Sequence, residues 1–259
     1  MKLPIYQIDA FANKPFEGNP AAVVPLDSWL PNGVMQAIAE ENNLAETAFF
    51  VREGNAFNIR WFTPCKEVNL CGHATLAVAF VLFEILGYRE NVINFDSLSG
   101  KLSVCRKDDL LTLNFPSQIP VSCEIPEDLI KGLGMKPLEC LKNEDYIAVF
   151  NCEEDIAKIT PDHKYLKRLD LRGVAVTSVS HEYDYVARFF APKYAIPEDP
   201  VTGSAYTQLT PYWSSKMSKN KFTVKQISER GGELFCELKG DRVSISGKAV
   251  LYLKGEIEL

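Results

Sequence analysis

Two short blocks, Cys71-Gly72-His73-Ala74 and Thr202-Gly203-Ser204-Ala205, set polar or nucleophilic side chains around a glycine where a helix of small residues begins. A helix start presents unpaired backbone N–H groups and the positive end of the helix dipole, and glycine lets a ligand approach the backbone closely. Each block is therefore a candidate anion hole. Each also follows the same kind of strand end and an acid. Arg60-Trp61-Phe62-Thr63-Pro64 and Glu67 precede the first block, and Arg188-Phe189-Phe190-Ala191-Pro192 and Glu198-Asp199 precede the second. Blocks repeated in the same order, about half a chain apart, indicate duplication of a supersecondary unit. If a pseudo-twofold axis relates the halves, both helix starts face one cleft and hold a carboxylate there.

The single residues admit two readings each. Glu46, ahead of an apolar run, is either a solvated acid or a proton carrier, and the second role requires a carboxyl desolvated enough to hold a proton near neutral pH. Asp199 either caps a turn and complements the helix dipole or lines a cleft. His73 is either a satisfied histidine or a polar, proton-handling group. Ser204 caps a helix, binds a ligand, or does both. Cys71 at a helix start is either an activated thiol, one arm of a racemase, or a small core residue. A two-thiol racemase would need its second thiol at Thr202, where a hydroxyl of far higher pKa is a poor substitute.

The elements that must position these residues are mostly strands. Strand-like runs cover 5–11, 21–26, 47–52, 57–62, 92–95, 102–106 and 111–115. Helical spacing of Leu30, Val34, Ala37 and Ile38 predicts a helix over 30–42, and a second runs from Gly72 to just before Gly87. The later part repeats this grammar, with a helix over 126–133, strands over 146–150, 174–179 and 183–190, and a helix over 203–216. Its end is mostly strand. A length of 259 residues suggests two domains at roughly 150 residues each. The two prolines of Phe115-Pro116-Ser117-Gln118-Ile119-Pro120 place the boundary there, giving 1–116 and 117–249.

Composition narrows the function. A net charge of −6 with no Lys or Arg run argues against nucleic acid. The most apolar segment, 74–86, is too short to cross a membrane and carries Glu84. Seven scattered cysteines with no C-x-x-C pair and no signal peptide predict reduced thiols in the cytoplasm. Three histidines without finger-like or helical partners predict no metal.

Gly18-Asn19-Pro20-Ala21-Ala22-Val23, Leu44-Ala45-Glu46-Thr47-Ala48-Phe49, the Arg60 block, Leu70 to Leu76, Glu198 to Ala205 and Gln226-Ile227-Ser228-Glu229-Arg230-Gly231-Gly232 together resemble the phenazine-biosynthesis isomerase (PhzF-like) family, in its order and over nearly the whole chain. The resemblance implies an α+β, diaminopimelate-epimerase-like fold. Two similar domains would each curl a mostly antiparallel sheet around a central helix, with the active site between them and strand 250–259 returning to the first. It implies a cofactor-independent isomerase acting on a small carboxylate-bearing substrate, working as a homodimer. Glu46 would be the acid/base, with Asp199 and His73 beside it; Gly72, Thr202, Gly203, Ser204 and Asn19 would bind substrate. One departure is Tyr206, where many members carry His after Gly-Ser-Ala.

Overall fold

The computed structural model describes residues 1–259. In chain order its strands and helices begin with β1 (Lys2–Ala10), β2 (Asn19–Leu26), α1 (Asn32–Asn42), β3 (Glu46–Glu53), β4 (Ala56–Phe62), β5 (Glu67–Val68), α2 (Gly72–Phe80), β6 (Val92–Ser97), β7 (Gly100–Lys107) and β8 (Leu110–Pro116). They continue with β9 (Val121–Ser122), α3 (Glu127–Leu133), β10 (Glu139–Lys142), β11 (Tyr146–Val149), α4 (Glu153–Ala157), α5 (His163–Leu166), β12 (Val174–Val179) and β13 (Tyr185–Phe190). The last are α6 (Tyr206–Met217), β14 (Lys221–Gln226), β15 (Gly232–Lys239), β16 (Arg242–Gly247) and β17 (Ala249–Glu258). The chain divides into two compact units, Met1–Asn114 with Ser246–Leu259, and Phe115–Ile245.

In the first unit β1 pairs antiparallel with both β2 and the final strand β17. From β2 the order of pairings is parallel to β3, antiparallel to β4, parallel to β6 and antiparallel to β7. Helix α2 packs on β1, β2, β3, β7 and β17, so the sheet surrounds it. Its run His73–Ala79 is buried without a break, which is why it carries no polar stripe. The alanines of this run let the strands come close.

The second unit repeats the pattern strand for strand. β10 pairs antiparallel with β11, which then runs parallel to β12; β12 is antiparallel to β13, β13 parallel to β14, and β14 antiparallel to β15. Its buried helix α6 follows β13 as α2 follows β4, and packs on β15. The duplication read from two sequence blocks thus extends to the order and direction of six strands and the place of the helix.

Each helix differs in detail from its sequence signal. α1 starts at Asn32 rather than at 30, because Pro31 sits outside the helix at φ −53°, ψ 138°. It stops where Asn43 turns left-handed and donates its N–H to the Ala39 carbonyl. The second expected helix is α-helical only to Phe80; residues Val81–Ile85 continue as a π turn ahead of Gly87. In the fourth, Gly203–Ala205 form a 3₁₀ turn that leads into α6. No helix is long and apolar enough to cross a membrane.

Candidate active site

The two Arg-containing strand ends explain how the helix starts are held. Arg60 on β4 forks onto Glu67 with Nε–Oε1 and Nη2–Oε2 distances of 2.7 Å each. Arg188 on β13 does the same to Glu198 at 2.8 and 2.9 Å. Each guanidinium also lies over the aromatic ring two residues on, Phe62 at 5.2 Å and Phe190 at 5.0 Å. A planar fork matched to a carboxylate fixes direction as well as distance. In both units it ties the end of a strand to the loop that delivers the next helix.

In the first unit that helix brings Cys71 and His73 against Glu46, the first residue of β3. Glu46 Oε2 and His73 Nε2 are 3.1 Å apart and both side chains are nearly buried. Their alignment is that of an ion contact rather than a linear hydrogen bond. On the other side of the ring, Nδ1 lies 3.6 Å from the Cys71 sulfur and 3.3 Å from the Asn19 carboxamide. Asn19 is fully buried on β2. Gly18, just before it, holds φ +66°, and a Cβ there would meet the Ala10 carbonyl oxygen at 2.1 Å. The first helical bond runs from Thr75 N–H to the Cys71 carbonyl, so the N–H groups of Gly72 and His73 have no intrahelical acceptor.

Charge in this cluster follows from burial. Burial opposes an imidazolium, but the charges of Cys71 and Glu46 outweigh it and lift His73 well above the ordinary histidine range. Burial first, and then the Glu46 charge, push the Cys71 thiol up to about 11. With that thiol neutral at pH 7, its share of the lift is absent there, and Glu46 is the acidic partner that remains beside the ring. The donor atoms of Glu46, Cys71 and His73 all lie within 4.8 Å of one another. His73 points one ring nitrogen at Cys71 and the opposite one at Glu46.

These charges lead to an expected result. At pH 7.5 a small alkylating reagent should modify the exposed Cys65 and Cys105 about 100-fold faster than Cys71. Peptide mass mapping over time checks it; equal rates would identify an activated thiol.

In the second unit Asp199 and Thr202 meet directly, Thr202 Oγ1 donating to Asp199 Oδ2 at 2.5 Å. Gly203 and Ser204 occupy the 3₁₀ turn, where the Ser204 carbonyl accepts from Thr207 Oγ1 at 2.6 Å. The residue that organises this turn is Gln226. Its Oε1 accepts from Thr202 N–H at 2.9 Å, and its Nε2 donates to the Asp199 carbonyl at 2.6 Å. Ser228 Oγ adds a bond to the Pro200 carbonyl at 2.7 Å. Sequence reasoning left Gln226 and Ser228 without a role, although both lie in the Gln226–Gly232 motif. Tyr206 is fully buried against Tyr185, and burial, with the nearby Cys236 and Asp199 charges, raises its phenol well above the ordinary range. It packs, and its phenol stays protonated and uncharged at neutral pH.

Strand register shows what the second unit lacks. Thr47 pairs with Phe62 as Val174 pairs with Phe190, so the position of Glu46 corresponds to Gly173. A Cβ there would lie 2.6 Å from the Phe189 ring and 2.9 Å from the Phe190 carbonyl. The duplicated scaffold carries this acid once.

Comparison with known proteins agrees with the geometry. The family model described as phenazine biosynthesis-like protein (PhzC-PhzF) matches residues 8–255. An uncharacterized isomerase of Pseudomonas aeruginosa is 50% identical over 259 residues, covering all of both chains. The crystal structure of a PhzF-family protein from Enterococcus faecalis superposes with a TM-score of 0.98 at 48% identity over all of both chains. A predicted epimerase of Pseudomonas aeruginosa shares the fold, with a TM-score of 0.74 at 20% identity over 98% of this chain and 99% of its own.

Proposed function

The chain belongs to the phenazine biosynthesis-like (PhzC-PhzF) family, and from that premise we propose that it is an isomerase that moves a proton between two carbons of a small carboxylate-bearing substrate, with Glu46 as the acid/base. The observation that carries this reading is the nearly buried Glu46 carboxylate held against His73. Glu46 takes a proton from a carbon next to a double bond or carbonyl. The C–H electron pair enters the conjugated system, and the proton returns at another carbon. Because proton and electrons stay within substrate and Glu46, no cofactor is required. His73 sets the charge beside Glu46, and Asn19 holds the His73 ring. The free N–H groups of Gly72 and His73, and the turn Thr202-Gly203-Ser204 beside Asp199, supply carboxylate-binding groups.

The reading includes a homodimer in the cytoplasm. Phe16 and Tyr252 pack edge to face at 5.6 Å while remaining 68% and 47% exposed, and Leu251 and Leu253 flank them. Such a patch supports association. The free cysteines fit a reducing compartment.

The test is a screen of small carboxylic acids in D₂O, following deuterium into carbon positions by NMR. Incorporation from one ligand class supports the proton shift, and unchanged ligands throughout would favour a binding protein without turnover. A cysteine-dependent racemase is the competing chemistry. Cys71→Ser should retain most of the exchange activity, because the thiol is neutral and its counterpart is Thr202. Loss as large as that from removing Glu46, in a folded protein, would favour the racemase.

A further inference from the structure

The second unit contains a pair of thiols outside the candidate site. β9 and β10 run antiparallel with Ser122 opposite Leu141 and Val121 opposite Lys142. The next position along this ladder sets Cys123 opposite Cys140, and Cys123 N–H donates to the Cys140 carbonyl at 3.0 Å. Directly opposed residues of antiparallel strands have Cα atoms about 4.5–5.5 Å apart. That separation lies inside the roughly 4.4–6.8 Å window of disulfides. The two sulfurs are 3.6 Å apart. From there, side-chain rotation is the movement that brings the sulfurs toward the roughly 2.0 Å of a bond.

We propose that Cys123 and Cys140 form a reversible oxidative modification site, converted to an intramolecular disulfide by a low-molecular-weight disulfide of the glutathione type. Cys123 is the first to react, since it is partly exposed whereas Cys140 is buried. Its thiolate attacks the small disulfide, forming a mixed disulfide and expelling one small thiolate, which takes up a proton. The Cys140 thiolate then attacks the Cys123 sulfur and expels the second small thiolate. Two protein thiols are oxidised and one small disulfide is reduced to two thiols. Burial and then the neighbouring Cys123 hold Cys140 up at about 12, and the mixed disulfide removes the Cys123 charge from that balance.

The covalent tie fastens a segment with a structural task. Gln118, five residues before Cys123, donates its N–H to the Thr207 carbonyl at 3.0 Å, and its Oε1 lies 2.9 Å from Thr207 Oγ1. The segment thus grips the first turn of α6 at one end and β10 at the other.

The experiment treats the folded, reduced full-length protein with oxidised glutathione, quenches with acid, and reads intact mass and tryptic peptides. Trypsin cuts after Lys131 and separates the two cysteines. The expected result is a linked Cys123–Cys140 peptide pair that disappears with dithiothreitol, with every intact-mass species lighter by two hydrogens than its count of glutathione adducts on the exposed Cys65 and Cys105 requires. Cys123→Ser should abolish the reaction, and Cys140→Ser should stop it at a glutathione adduct on Cys123. A wild-type protein that stays at that adduct, shows no reaction at either cysteine, or forms the link only in urea overturns the proposal.

Discussion

Glu46→Gln is expected to lower proton exchange by roughly two to four orders of magnitude, the scale for removing a general acid/base, while the protein folds and still binds its ligand. The substitution keeps the shape of the side chain and one carbonyl oxygen near His73 Nε2, but an amide does not take up and return a proton at neutral pH. It also removes one of the two acidic partners that raise the buried imidazole, so His73 should lose its proton at lower pH than in the wild type. That second effect is readable by NMR of the histidine ring without any substrate. Three outcomes are distinguishable. A surface acid would show no change, a purely binding residue would lose affinity with saturating turnover intact, and the proton carrier loses exchange with affinity retained. Near-wild-type deuterium incorporation by Glu46→Gln would sink the mechanism.

Gly18→Ala should cost about 3 kcal/mol and lower the thermal midpoint by roughly 10 °C. Two terms add. The left-handed backbone at φ +66° is strained for any residue with a Cβ, and the Cβ itself would run into the Ala10 backbone carbonyl, which belongs to β1 and cannot rotate away. Gly54 provides the control, at φ +60° with open space around it, so Gly54→Ala should cost only about 1 kcal/mol. Calorimetry on the two variants separates strain from collision. Because Asn19 follows Gly18 and touches His73, the damage should also reach the site. Equal midpoints for the two variants would mean that the Ala10 contact carries no weight.

Much of the architecture was legible because the sequence repeats itself. Long strands such as β2, β3 and β12 declare themselves through β-branched and aromatic runs, and α2 through its glycine start and small residues. Short elements did not. β10 is a few residues with Glu at one end and Lys at the other, and α4 and α5 are too brief for a helical period to emerge. Within the site, Cys71 and His73 were visible as neighbours. That Glu46 joins them depends on β3 lying beside α2, which no spacing along the chain encodes. Asn19 and Gln226 illustrate the same limit, since both act through hydrogen bonds to groups far away in sequence.

The paired arginine forks separate frame from cargo. Arg60–Glu67 and Arg188–Glu198 build the same frame in both copies, while the residues it carries differ. The first copy keeps an acid at Glu46; the second has Gly173 in a space that the Phe189 ring now fills. An acid placed at Gly173 would therefore need room made for it, by movement of the Phe189 ring and of the Phe190 backbone carbonyl. The two copies share a frame but are not interchangeable as hosts for a proton carrier: one has space for the side chain, and the other has closed it.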